Sequence, residues 1–191
     1  MKVVEADATR FIPGAERDDK LSAAEFTRIY EKYFDRVYKY ICYRVGCRHS
    51  AEDLCSQVFE RLIERHGSYS PDRASYEVWL FTIARNVVTD HHRRSRFVRL
   101  FVPEDDAVNI PSAELSPEAL AITAESNEAL YAALGKLNEK ERGLIAMKFA
   151  AGLRNTEIAD ILGTSASAVG VKLHRILKKM NDDMTKGGFS R

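Results

Sequence analysis

The chain lacks the residues that would tie it to several common functions. Its three cysteines, Cys42, Cys47 and Cys55, are odd in number and form no Cys-x-x-Cys pair. A disulfide framework is therefore not expected, and buried or semi-buried thiols are the expected role. His66, His91, His92 and His174 stand at no metal-ligand spacing with them, so neither a metal nor another cofactor is expected. No apolar run approaches the length of a membrane span. The polar opening MKVVEADATRFIPGAERDDK has no signal-peptide core. A cytoplasmic protein without membrane insertion is expected, with residues 1–20 as a flexible tail. There is no phosphate-binding glycine loop and no nucleophile–base pattern, so an enzyme is not expected. No stretch reads as a confident strand.

An excess of charge is missing too. The 29 basic and 28 acidic residues leave a formal net charge of +1. The distribution is more telling than the sum. HHRRSRFVR gathers Arg93, Arg94, Arg96 and Arg99 with no acid among them, and KLHRILKK gathers Lys172, Arg175, Lys178 and Lys179. Between them, PEDDAVNIPSAELSPEALAITAESNEAL is acidic and holds no Lys or Arg. Two basic clusters flanking an acidic connector fit two contact surfaces on a polyanion, or two solvated helix faces.

Helical signals fill the rest of the 191 residues. Ser22-Ala23-Ala24-Glu25 reads as a capping box. Phe26, Ile29, Tyr30, Tyr33, Val37, Ile41 and Val45 follow at three- and four-residue steps, and Gly46 offers a stop. Ser50-Ala51-Glu52-Asp53 opens a second helix, with acids in its first turn and a stripe of Leu54, Val58, Phe59 and Leu62. After the breaker HGSYSPDRAS, a third helix runs from about Tyr76 to Arg96 with Val78, Trp79, Ile83, Ala84, Val87 and Val88 inward. Pro103, Pro111 and Pro117 mark a linker, and Ser116-Pro117-Glu118 a helix start. Leu130, Leu134 and Leu137 resume the pattern. Asn138 caps a helix whose Ile145 and Phe149 share a side, and Gly152 ends it. The fold class is all-α: two small helical domains joined by an acidic linker. The divisions are 1–20 (tail), 21–97, 98–125 (linker) and 126–185.

NTEIADILGTSASAVGVKLHRILKKM has the mechanics of a helix-turn-helix. Ile158, Ala159, Ile161 and Leu162 face inward, Gly163 suits the left-handed turn, and Ser165 suits the second helix's cap. Val169, Leu173, Ile176 and Met180 form an inward stripe, leaving Ser167, Gly170, Lys172, Arg175 and Lys179 outward. An ordinary helical hairpin is the alternative. The half of the second helix that would meet base edges is poor in long donors, while its cations sit where phosphate contacts are natural.

SAEDLCSQVFERLIER, WLFTIARNVVTDHHRRSR and ALGKLNEKERGLIAMKFAAGLRNTEIADILG, in that order, resemble the sigma-70 family of transcription initiation factors, and the two-domain form resembles its extracytoplasmic-function (ECF) group. The resemblance covers about Phe26 to Phe97 (region 2) and Leu130 to Met180 (region 4). It implies a factor that binds core RNA polymerase and directs initiation by recognising −10 and −35 promoter DNA. It also implies control by an anti-sigma factor. Residue by residue, it places core-polymerase binding on Glu52, Asp53, Leu54, Gln57 and Phe59. It places −10 binding on the loop residues Tyr69, Asp72, Arg73, Ser75 and Tyr76 and on Asn86, Asp90, Arg93, Arg94 and Arg96. It places −35 binding on Ser165, Ser167, Lys172, His174, Arg175 and Lys179. His91 and His92 would belong to the basic face. The helix-turn-helix departs from the family string at Ala168, Gly170, Val171 and Lys172; Gly170 either permits close approach to DNA or is tolerated. An autonomous helix-turn-helix regulator with a helical dimerisation or sensing domain is the other reading of the residues.

Overall fold

A computed structural model describes residues 21–45, 47–99, 130 and 133–186, with side chains as far as Ser95 on the third helix. The described residues are helical, and the all-α expectation is borne out. Gly46, the linker and Ser116-Pro117-Glu118 lie outside them.

Helix α1 spans Ala23–Val45, and the Ser22 hydroxyl accepts from Glu25 N at 3.2 Å. The expected stripe buries Tyr33, Val37 and Ile41, joined by Tyr40; Tyr30 is exposed. Helix α2 spans Arg48–Arg65 and starts before the expected Ser50, with Cys47 in the cap position. The acids are thereby moved out of the first turn. Glu52 instead pairs with Arg48 at 3.0 Å, and Asp53 lies 3.8 Å from His49. A 3-10 turn over His66–Ser68 leads to the loop, where Ser75 Oγ accepts from Val78 N at 3.4 Å and opens α3, Tyr76–Arg99. Val58, Leu62, Leu80, Phe81, Ala84, Val87 and Val88 close the core of this three-helix domain.

The second domain begins with residues 130 and 133–135. Asn138 and Glu141 then form a reciprocal capping box, at 3.0 and 2.9 Å, for α4, Glu139–Ile145. The helix widens over Ala146–Ala150 into a π-turn, with Ala151 N donating to Ala146 O at 2.9 Å. This inserts a residue into the turn. It separates Ile145, which is buried, from Phe149, which is 59% exposed, so the two do not share a side as expected. Gly152, at φ +67°, turns the chain into α5, Asn155–Leu162. Gly163, at φ +63°, turns it again into α6, Ala166–Lys186. Val169, Leu173, Ile176 and Met180 are all buried, as their spacing predicts. The two domains touch: α1 packs against α4 and the π-turn, and α3 against α5.

Candidate nucleic-acid and polymerase interfaces

On α2, Glu52 and Asp53 are exposed and Gln57 is half-buried, but Leu54 and Phe59 are core residues. Both lie on the inward stripe read from the sequence, so they brace this helix from within and do not themselves offer apolar surface to a partner. The 3.6-residue period that carries Val58 and Leu62 inward carries them inward too. The exposed apolar residue of this helix is Ile63, 49% exposed. It lies about three turns from Glu52 on the same face.

The loop before α3 brings its aromatic residues together. Tyr69, Tyr76 and Trp79 form a triangle of rings with centroids 4.9 to 5.3 Å apart, and Tyr76 also stacks on Tyr33 at 5.9 Å. Burial pushes both tyrosine hydroxyls above their ordinary range. These rings are therefore partners of one another first, and all three are half-buried. Asp72, Arg73 and Ser75 are exposed, Ser75 also serving as the cap of α3. Along α3, Asn86, Arg93 and Arg94 are exposed. Asp90 is half-buried between Arg61, at 3.7 Å, and Arg93, at 3.4 Å. The side chain of Arg96 lies outside the described residues. His91 and His92 do not belong to the basic face: both are half-buried, with His91 Nε2 3.5 Å from Ser95 Oγ. Burial lowers the pKa of each, and the Arg44 cation adds to the lowering at His92.

On α6, Ser165 Oγ accepts from Ala168 N at 3.1 Å, the expected cap. Ser167, Lys172, His174, Arg175 and Lys178 are exposed. Lys179 Nζ lies 3.1 Å from Glu141 Oε2, which ties α6 to α4. Gly170 is turned inward: a Cβ there would meet Asn155 Nδ2 of α5 at 3.6 Å. A side chain would fit there at ordinary contact distance, so this packing tolerates the glycine and does not require it. Lys172, Arg175 and Lys179 recur at three- and four-residue steps, so one edge of the helix is a row of cations suited to a phosphate backbone.

Among the described residues no helix is long and apolar enough to cross a membrane, and no group of three or more His, Cys, Asp or Glu is placed to hold a metal ion.

The comparisons with known proteins agree with this layout. A model for sigma-70 region 2 matches residues 29–98 and one for sigma-70 region 4 matches residues 127–180. Fold and matches together define a two-region factor of the sigma-70 class. ECF RNA polymerase sigma factor BldN of Streptomyces coelicolor is 35% identical over 176 residues, covering 92% of this chain and 66% of that protein. ECF RNA polymerase sigma factor SigX of Bacillus subtilis is 30% identical over 162 residues, covering 83% of each. The chain belongs to the ECF RNA polymerase sigma factors. The fold is shared with sigma factor RpoE of Bartonella quintana, solved with the anti-sigma factor NepR, at a TM-score of 0.63 and 18% identity over 84% of this chain and 97% of that one. CnrH, solved with the cytosolic domain of CnrY, has a TM-score of 0.60 at 19% identity, covering 84% and 88%.

Proposed function

We propose that this chain is a dissociable promoter-specificity subunit. It binds core RNA polymerase through α2, with Glu52, Asp53, Gln57 and Ile63 as the contact face and Leu54 and Phe59 bracing it from within. Residues 21–97 then engage the −10 element through the 69–76 loop and through Asn86, Arg93 and Arg94. Residues 126–185 grip the −35 duplex through Ser167, Lys172, His174 and Arg175. Asp90 fixes Arg61 and Arg93 in place. Residues 98–125 are the connector. The protein carries out no covalent chemistry, works in the cytoplasm, and is held in check by an anti-sigma factor that covers these faces.

The observation that carries this reading is the presence, on one chain, of an acid-lined helix face in the first domain and a solvent-facing cationic row in the second, each inside a sigma-70 region match. Phosphate contacts dominate the second face. Arg175→Ala is therefore expected to weaken −35 binding for all sequences and to shrink the salt slope by about 1. The deciding experiment is run-off transcription from a promoter library by core polymerase with and without the protein. Selective initiation only in its presence is the expected result. No stimulation on any template, together with tight binding to free duplex, would overturn it in favour of an autonomous regulator.

A further inference from the structure

Val171 stands out on the face proposed to meet the −35 duplex, because it is apolar. The buried stripe of Val169, Leu173, Ile176 and Met180 sets the rotation of α6. At 3.6 residues per turn, Val171 then stands about 170° from the centre of that stripe, in the middle of the outward face. Gly170 gives the same answer independently. It faces Asn155 of α5, so the next residue, about 100° further round, points away from the protein. The Val171 side chain is 48% exposed. Leu177, the other exposed large apolar residue among those described on α6, is placed differently: it stands about 70° from the stripe's centre and borders it. Around Val171 the outward face is polar, with Ser167 one turn before, His174 and Arg175 one turn after, and Lys172 alongside. Lys172 and Lys179 occupy one rim, about 80–100° away from Val171. Lys178 is nearly in line with it but about 10 Å further along the axis. At this level the centre of the face holds Val171 and the short Ser167.

Resting on the sigma-factor reading of this face, we propose that Val171 is a base-reading residue and that the base it selects is thymine. A helix seated in the major groove with this face down removes Val171 from water. Each base offers a different edge there. Guanine shows N7 and O6, cytosine its N4 amino group, and adenine N7 and its N6 amino group; thymine alone adds a methyl group, on C5. Valine has neither donor nor acceptor. Set against a guanine, adenine or cytosine edge, it strips water from polar groups and returns no hydrogen bond, which weakens binding. Set against the thymine methyl, it buries two apolar surfaces at once. One side chain thus favours thymine and opposes the other three bases. A single exposed aliphatic residue on an arbitrary face would carry no such meaning. This one is centred on the face whose cationic rim suits a phosphate backbone. It also stands where the helix-turn-helix departs from the family string, so the selected base is a property of this chain. A helix half poor in long donors can in this way still specify a sequence.

The test uses the full chain with core polymerase on a promoter library randomised across −35. Thymine should be enriched at one position at least, on either strand. Each enriched thymine is then replaced singly by deoxyuridine, which differs only in lacking the methyl group. At the position under Val171 this should lower initiation roughly two- to fourfold. A 5-methylcytosine there should initiate better than cytosine, because it restores the methyl group. Val171→Ala trims the side chain and raises helix propensity, so α6 is kept. It should initiate equally well from the thymine and deoxyuridine templates. Val171→Ser, whose hydroxyl both donates and accepts, should lose the preference in the same way. Initiation without any enriched thymine, without a deoxyuridine penalty, or with a penalty that survives in both variants overturns the reading of thymine by Val171 and leaves the sigma-factor reading standing. Failure to initiate from any template overturns the sigma-factor reading, and this inference with it.

Discussion

Ser165 holds two positions at once, the cap of α6 and the edge of the proposed −35 face, and substitution can separate them. Ser165→Ala removes the bond to Ala168 N and is expected to cost about 1 kcal/mol, read by thermal unfolding. Ser165→Asp caps as well as serine and should keep that stability, but its charge should weaken duplex binding. Phe59 and Ile63 make a second pair. Phe59→Ala empties a core site and should destabilise the protein by about 3–5 kcal/mol in denaturant titration. Ile63→Asp should shift stability by no more than about 0.5 kcal/mol while lowering affinity for core polymerase in a pull-down titration. The residue scale is where the sequence was least legible. Family position put Leu54 and Phe59 on the functional helix, but packing buries both and exposes Ile63, which that mapping had not named.

At the scale of the element, patterns of period 3.6 located α1, α2, α3 and α6, because each buries a continuous stripe, whereas α4 was marked by its Asn138 cap. The misses have local causes. The start of α2 shifted because backbone geometry at Cys47, not a side-chain cap, begins the helix. The π-turn was invisible because nothing in AMKFA differs in composition from an ordinary helix. The two glycines of the helix-turn-helix should respond in opposite directions. Gly163→Ala forces a side chain into left-handed backbone and should cost roughly 1–2 kcal/mol. Gly170→Ala meets only Asn155 Nδ2 at ordinary contact distance and should stabilise α6 by about 0.5–1 kcal/mol in the same unfolding assay. His92 adds a pH dependence. It faces Arg44 from α1, Glu139 and Arg142 from α4, and His91 on its own helix. Burial first, then Arg44, holds its pKa below the ordinary 6.5, so the unfolded chain takes up the proton first as pH falls. Stability is then full above about pH 7 and lost on acidification through 6.5 and below. His91 has the same sign. Scanning calorimetry at pH 7.5 and 5.5 should show a smaller drop in Tm for His92→Gln than for the unaltered chain.

For the whole molecule, the sequence announced two domains but not their embrace. The charge map showed basic clusters and an acidic connector, both set by residues near one another in the chain. The contact between the domains joins positions about one hundred residues apart: the Arg44 guanidinium lies against Gly143 and Arg36 Nε donates to Ala151 O, and no local pattern reports such a pairing. Nothing in the sequence pattern singles out Arg36, Tyr40 or Arg44. That same separation has a consequence in time. A ribosome adding about 5–20 residues per second needs roughly 5–20 s to go from Arg44 to Gly143. The first domain is therefore synthesised in full before the residues it packs against in the second have been translated.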